Sequence, residues 1–306
     1  MRSLGKGLLL CFLPPIFWGA MFPIANSLVP TVNMFATTLI RYGIVAVIMA
    51  AMLYLKEGRS SFSLEKRFSY LFWLGTLGFA GFGLLAFTAL SYTSPTNVSL
   101  IMAMMPAISA IIGAVLSKRL PPAYTIVSIL CAFAGVYFVL TANSASHTLG
   151  ISDVLGVVLA LGGAISWVVY TRGTVQFPEW STLRYTTITT ILGVPSIAIA
   201  TLIATSIGYV EAPTLSHVIG GWLQLLYLII FAGIMAVLYW NAGNKILGPV
   251  NGTLFMNLVP VTTFTITSIS AHALPSAGQI IGVTLVVGAL IMNNMFMRRA
   301  FAAKVG

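Results

Sequence analysis

Long apolar runs separated by short polar breaks fill this chain from one end to the other. Bounded by charged or turn residues, they predict ten helices near residues 7–28, 33–55, 69–91, 95–117, 122–140, 151–171, 182–206, 216–241, 249–270 and 276–297. A helix that crosses a bilayer needs about 20 predominantly apolar residues, which is the length of these runs. The breaks between them are mostly too short to hold a soluble domain. The expected fold class is an all-α polytopic membrane protein with ten transmembrane helices.

The polar positions orient those helices. With the N-terminus in the cytoplasm, the inner side collects Arg2, Lys6, Lys56, Arg59, Lys66, Arg67, Lys118, Arg119, Arg172, Arg184, Lys245, Arg298, Arg299 and Lys304, 14 of the 15 basic residues. The other side carries only Asp153, Glu211 and the three histidines. Short basic loops stay in the cytoplasm during insertion, so both termini are expected inside, in the inner (plasma) membrane. The fifteenth basic residue, Arg41, falls within the second helix.

The fourth and fifth segments recur as the ninth and tenth. Pro95, Pro106 and Pro121 are matched 154 residues later by Pro249, Pro260 and Pro275, and Asn97 by Asn251. Leu100-Ile101-Met102 lies over Leu254-Phe255-Met256; more loosely, Trp18 corresponds to Trp167 and Arg41-Tyr42 to Arg184-Tyr185. This spacing divides the chain into a first five-helix repeat, 1–145, and a second, 146–306. Five is odd, so the second repeat enters the membrane from the opposite face. Inverted repeats of this kind are the recurrent plan of secondary transporters, with the substrate site near midplane between the halves.

Composition narrows the class. Of 306 residues 58% are apolar and 7% charged, against about 25% charged in soluble domains, and the mean hydropathy is +1.00. A water-soluble or disordered protein is excluded. The net charge of +10 reads as membrane orientation rather than nucleic-acid binding, which needs a solvated basic face. Cys11 and Cys131 sit in apolar segments and read as packing residues. The start, Met1-Arg2-Ser3-Leu4-Gly5-Lys6 before an apolar run, has the look of a signal peptide, but further spans follow at once, which favours an uncleaved first helix. There is no nucleophile–base set, phosphate loop or zinc spacing, and His147, His217 and His272 are scattered over outer loops. An enzyme is disfavoured, and neither a metal nor any other cofactor is expected.

No Asp or Glu falls near the middle of any span, so a buried carboxylate that trades a proton for a cationic drug is absent from the expected mechanism; facilitated diffusion or exchange is simpler. The helices offer aromatics and amides instead. Candidate substrate-binding residues are Trp18, Phe79, Phe82, Tyr92, Asn97, Trp167, Tyr170, Tyr239, Trp240, Asn251 and Asn257, with Phe22, Asn241 and Asn244 beside them. Aromatic rings can stack on planar substrates, and amides can both donate to and accept from a zwitterion. The competing reading of each ring is core packing or the headgroup belt. For Asn97 and Asn251, two residues past a helix-opening proline, it is capping, with Ser94 or Gly248 as N-cap. Trp18 and Trp167 stand out because they are equivalent in the two halves. Arg41 is open to two readings, a partner for a substrate carboxylate or a structural cation on backbone carbonyls. Candidate hinges are Pro14, Pro15 and Gly19 in a first helix expected to be broken or bent, and Pro106 and Pro260, expected mid-helix, where proline removes a backbone bond.

Trp18-Gly19 in the first segment, Leu39-Ile40-Arg41-Tyr42 in the second, a proline in the fourth before a short basic loop, and Ala134-Gly135-Val136 in the fifth resemble the EamA-type transporters of the drug/metabolite transporter superfamily. The resemblance covers essentially the whole chain, and its aromatic-rich helices look most like the bacterial YddG-like exporters of aromatic amino acids. It implies two inverted five-helix repeats around a central cavity. One departure is clear: Lys118 and His272 stand where members often carry Glu after the fourth and ninth helices. The resulting expectation is a secondary transporter that exports or exchanges amino acids, aromatic and other neutral ones, by alternating access. The alternatives are a multidrug or nucleotide-sugar carrier of the same superfamily or, last, a membrane-embedded enzyme. Its partners would be the substrate and the lipid bilayer, not nucleic acid, and one chain would suffice as a functional monomer.

Overall fold

Hydrocarbon offers no water to backbone amides, so a spanning chain must satisfy them within itself. The computed structural model describes residues 2–116, 118, 122–142, 150–247, 255–256, 258–272 and 274–305, and among them every regular element is helical. The main helices are α1 (Arg2–Asn26), α2 (Met34–Glu57), α3 (Phe68–Ala89), α4 (Pro95–Leu116), α5 (Ala123–Ala142), α6 (Ile151–Gly173), α7 (Thr182–Ser206), α8 (Trp222–Ile246), α9 (Leu258–Ser270) and α10 (Ala277–Val305). Seven of them, α1–α4 and α6–α8, are long and apolar enough to cross a membrane; α5, α9 and α10 contain shorter apolar stretches. Large apolar side chains such as Val47, Leu55, Trp73 and Leu202 point outward, as a lipid-facing surface requires.

The ends of the helices follow local chemistry. Asn33, Ser94 and Ser181 cap α2, α4 and α7 by accepting from the backbone N–H groups of Ala36, Asn97 and Arg184, so the expected Ser94 cap with Pro95 in the first turn is present. Gly248, expected to cap the equivalent helix, lies outside the described residues. Past the C-terminal ends of α4 and α9, Lys118 and His272 both adopt left-handed backbone, φ 53° and 48°, a common way to end a helix. These two residues are 154 positions apart.

Two helices carry a π-helical stretch, Thr76–Gly81 in α3 and Leu228–Met235 in α8. Each contains the tripeptide Phe-Ala-Gly, at 79–81 and 231–233. Such stretches are rare and often mark functional sites. The prolines behave differently from expectation. α1 runs unbroken through Pro14, Pro15 and Pro23, and Gly19 serves close packing, since a Cβ there would meet the Val259 carbonyl and Thr262. α4 is interrupted at Met104, and Pro106 lies in the first turn of the piece that restarts at Met105. Pro260 is in the first described turn of α9, and most of the segment expected to precede it in that helix lies outside the described residues. A first-turn N–H has no intrahelical partner to lose, so proline is tolerated there.

Packing is mostly between the two halves of the chain. α1 lies against α8 and α9, α6 against α3 and α4, α2 against α7 and α8, α7 against α2 and α3, and α5 against α10. Small residues set the closest crossings: Gly75 of α3 against Gly193 of α7, and Gly135 of α5 against Gly282 of α10, the usual device where lipid gives helices no hydrophobic drive to associate. Along α7 the buried hydroxyls of Thr186, Thr189 and Thr190 donate back to the carbonyls of Thr182, Tyr185 and Thr186, so this polar stripe is satisfied by its own helix.

Candidate functional site

A cavity between the helices is walled by Trp18, Met21 and Phe22 of α1, Arg41 and Tyr42 of α2, Phe82 of α3, Met102 and Met105 of α4, Trp167 of α6, Ala232 and Val237 of α8, Met256, and Val259 of α9. Both halves of the sequence contribute. The gaps between these side chains total about 370 Å³, counting the part open to the surroundings, but they are narrow, with room for roughly one water-sized body at a time. The side chains therefore leave little free space inside the cavity in this conformation.

Trp18 organises one wall. Its ring meets Trp167 edge to face at 5.9 Å between centroids and Trp240 at 5.5 Å. Its indole Nε1 donates to the carbonyl of Ala232 at 3.2 Å, inside the π-helical stretch of α8, where the regular i→i−4 ladder is interrupted. Trp167 continues the cluster to Phe82 and Tyr170 at 5.1 and 5.2 Å. Trp18, Phe82 and Trp167 line the cavity, and Trp240 packs against Trp18.

Other expected residues lie elsewhere. Phe79 packs between Tyr42 and Tyr170, and Tyr170 stacks on Tyr185; both support the aromatic wall from outside. Tyr239 is half-buried on α8 away from the cavity wall. Tyr92 sits at the end of the bundle, its hydroxyl 3.0 Å from that of Tyr209. Asn97 is buried, but its Nδ2 donates to Thr93 Oγ1 at 2.8 Å, and Thr93 donates to Asp153, so it ties α4 to the start of α6. Asn241 and Asn244 donate to Thr186 Oγ1 and to the Trp240 carbonyl. Asn251 and Asn257 lie outside the described residues.

Arg41 is 1% exposed. Its guanidinium lies over the rings of Tyr42 and Phe87, 4.7 and 5.3 Å from their centroids, and its Nε and Nη1 have no hydrogen-bond partner among the described residues. Among the described residues no carboxylate lines the cavity. Arg184, the other Arg-Tyr arginine of the sequence, has a different fate. Arg184 Nη2 pairs with Glu65 Oε1 at 2.7 Å and donates to the Ser63 carbonyl, and its guanidinium stacks 3.8 Å over Trp180.

Those contacts belong to a polar clasp at the end of the bundle that carries the α2–α3 and α6–α7 connections. There Trp180 Nε1 also donates to Glu65, Ser181 to Glu57, and Arg67 to the Gln176 carbonyl. The opposite end has its own clasp, where Asn33 donates to the Glu211 carbonyl and Ser152 to the Tyr92 carbonyl, beside the Tyr92–Tyr209 and Thr93–Asp153 pairs. Each clasp joins elements of the two halves.

Sequence reasoning passed over the four methionines of the cavity, Met21, Met102, Met105 and Met256. Their signal was faint, since methionine is apolar like everything around it; yet its flexible thioether lets a wall adapt to differently shaped ligands.

A bundle of apolar helices around an aromatic cavity, clasped at both ends, defines a helical membrane protein. The chain belongs to the EamA-like transporter family, whose family model matches it twice, over residues 5–141 and 154–295. It is similar to the uncharacterized transporter YrdR of Bacillus subtilis (strain 168), 36% identical over 297 residues that make up 96% of this chain and 92% of that protein. It is also similar to the uncharacterized transporter YyaM of the same organism, 32% identical over 276 residues, 89% of this chain and 88% of that one. A solved crystal structure superposes with a TM-score of 0.70 at 21% identity, covering 97% of this chain and 99% of that one, which shows the shared fold.

Proposed function

We propose that this protein is a secondary transporter that exports or exchanges amino acids, aromatic and other neutral ones, across the inner membrane by alternating access between two inverted five-helix halves, residues 1–145 and 146–306. The observation that carries this reading is the cavity wall, in which Trp18 and Trp167, equivalent positions of the two halves, meet across one site. The inverted repeat is supported by the paired left-handed residues Lys118 and His272, by the matching π-helical stretches, and by the family model matching twice. The helix contacts also support it, because each contact keeps its meaning when the halves are exchanged: α1–α8 becomes α6–α3, and α1–α9 becomes α6–α4.

In this reading the two polar clasps open in turn, with both termini on the cytoplasmic side and one chain sufficient for transport. Pro106, Pro260 and the proline-rich first half of α1, Pro14 and Pro15 to Gly19, are the places where the helices give. Transport needs no buried carboxylate and is exchange or facilitated movement. The test is counterflow in proteoliposomes preloaded with unlabelled amino acid, offering labelled Trp, Phe, Met, Thr, Lys and Glu in turn, with and without a pH gradient. Accumulation of Phe, Trp or Met without a gradient is expected. No accumulation of any of the six overturns the amino-acid assignment and leaves a drug or nucleotide-sugar carrier to be tried.

A further inference from the structure

The cavity holds one buried charge, and nothing among the described residues neutralises it. Arg41 contributes part of the wall, is almost fully buried, and keeps Nε and Nη1 unbonded. The rings of Tyr42 and Phe87 under its guanidinium lend a cation–π attraction, but a ring carries no net charge and accepts no N–H bond along the guanidinium edge. The equivalent Arg184 shows what this chain does with an arginine whose task is structural: it pairs with Glu65 and a backbone carbonyl. Among the described residues the remaining wall is aromatic, aliphatic or methionine; its N–H and O–H groups, on Trp18, Trp167 and Tyr42, are uncharged, and the Trp18 indole is already bonded to Ala232. Among the described residues the cavity therefore has a positive pole and no negative one.

Resting on the reading of this cavity as the transport site, we propose that Arg41 is its specificity-determining residue and anchors a carboxylate, so that the substrate class is monocarboxylates, anionic or zwitterionic, with the one carboxylate on an aromatic or apolar body. A guanidinium edge matches a carboxylate with two parallel N–H bonds, and a buried cation is best balanced by one counter-charge. An ammonium group on the substrate is tolerated but not recognised, because no carboxylate on the wall receives it. Amino acids are then one branch of the class, and their deaminated analogues are another. A substrate with two negative charges leaves one unbalanced in the cavity and is disfavoured.

The test uses the full chain in proteoliposomes preloaded with unlabelled 3-phenylpropionate, reading uptake of the labelled compound. Phenylalanine, 3-phenylpropionamide and phenethylamine compete, so that the ring is constant while the charges change. The expected order is 3-phenylpropionate and phenylalanine together, with the amide and the amine weaker by about tenfold or more, as for a site whose charged donor is left unpaired. Arg41→Lys keeps the preference for the acid at lower affinity, and Arg41→Gln abolishes it. An amide or amine that competes as well as the acid overturns the proposal, and this arm needs no variant to fold. So does an Arg41→Gln protein that still prefers the acid. Exchange of 3-phenylpropionate without competition by phenylalanine overturns the amino-acid reading and leaves the carboxylate anchor standing. Uptake of labelled phenylalanine displaced equally by phenethylamine does the reverse, and exchange of neither acid overturns both.

Discussion

Trp18 and Trp167 meet edge to face with ring centroids 5.9 Å apart and planes at 78°, each 7% exposed. They come from the first and sixth helices, far apart in sequence. Edge-to-face pairs favour one relative orientation of the rings, so this contact sets the shape of the cavity wall as well as its polarity. Replacing either with Ala removes a face on which a planar substrate rests, and is expected to raise the KM for phenylalanine by about tenfold, equivalent to about 1.4 kcal/mol. Trp→Phe at the same positions is expected to cost only a few-fold. Counterflow kinetics with matched protein amounts check this; unchanged KM in both Ala variants removes the pair from the site.

Pro106 opens the second piece of α4, just past the interruption at Met104. If that break is where α4 gives during the transport cycle, Pro106→Ala lets the helix run through and slows turnover several-fold while leaving KM within about twofold. Single-turnover and steady-state exchange rates separate the two quantities. Loss of folded yield with normal turnover marks the break as a static bend instead.

At Gly75 a Cβ would run into the backbone carbonyl of Thr189 on α7. Backbone cannot yield as a side chain tip does, so Gly75→Ala is expected to separate α3 from α7 and cost about 1–3 kcal/mol, the range of overpacking. Thermal unfolding in detergent reads this as a lower Tm. Gly43, with open space around its Cβ position, is the control, and Gly43→Ala is expected to leave Tm unchanged or slightly raised.

The Arg184–Glu65 pair is partly solvated, with side chains 15% and 47% exposed. Exposed pairs contribute about 0–1 kcal/mol, so Glu65→Ala should barely move Tm. Arg184→Ala should lower it more, since it also loses the stacking on Trp180 and the bond to Ser63. Equal effects of the two variants would mean that Arg184 contributes to this clasp through Glu65 alone.

Tyr209 lies beyond the end of α7, where its hydrogen bond to Tyr92, and secondarily burial, push its phenol above the usual tyrosine range. A raised value means that folding favours the protonated form. The contribution is fully present below the ordinary tyrosine value of about 10 and is lost as pH rises through the higher folded value. The difference in Tm between the protein and Tyr209→Phe is therefore expected to shrink from pH 8 to pH 11. A difference independent of pH would assign the contact to packing alone.

Much of this was legible along the chain because lipid imposes a simple local rule: an apolar run of bilayer length becomes a helix. The expected helix at 182–206 and the helix Thr182–Ser206 coincide, and Ser94 before Pro95 announced its cap through its own hydroxyl. The family, too, followed from short motifs that survive in both halves. Where expectation and structure part, three-dimensional neighbours decide. Pro14 and Pro15 suggest a broken or bent first helix; α1 is unbroken, because packing against α8 and α9 can hold it helical despite missing backbone bonds. Tyr92 and Asn97 were read as cavity residues on chemistry alone, and the fold uses both in the clasp at one end.

The sequence by itself determined the helical membrane class, the helix positions and the transporter family, since each depends on composition and spacing measured along one dimension. Only the tertiary structure decided which aromatics face the cavity, that four methionines join them, and that Arg184 is paired while Arg41 is not. In helices apolar on every side, hydropathy carries no record of which face meets a neighbour, and a charge is left unpaired or satisfied only by what the other half of the chain brings to it.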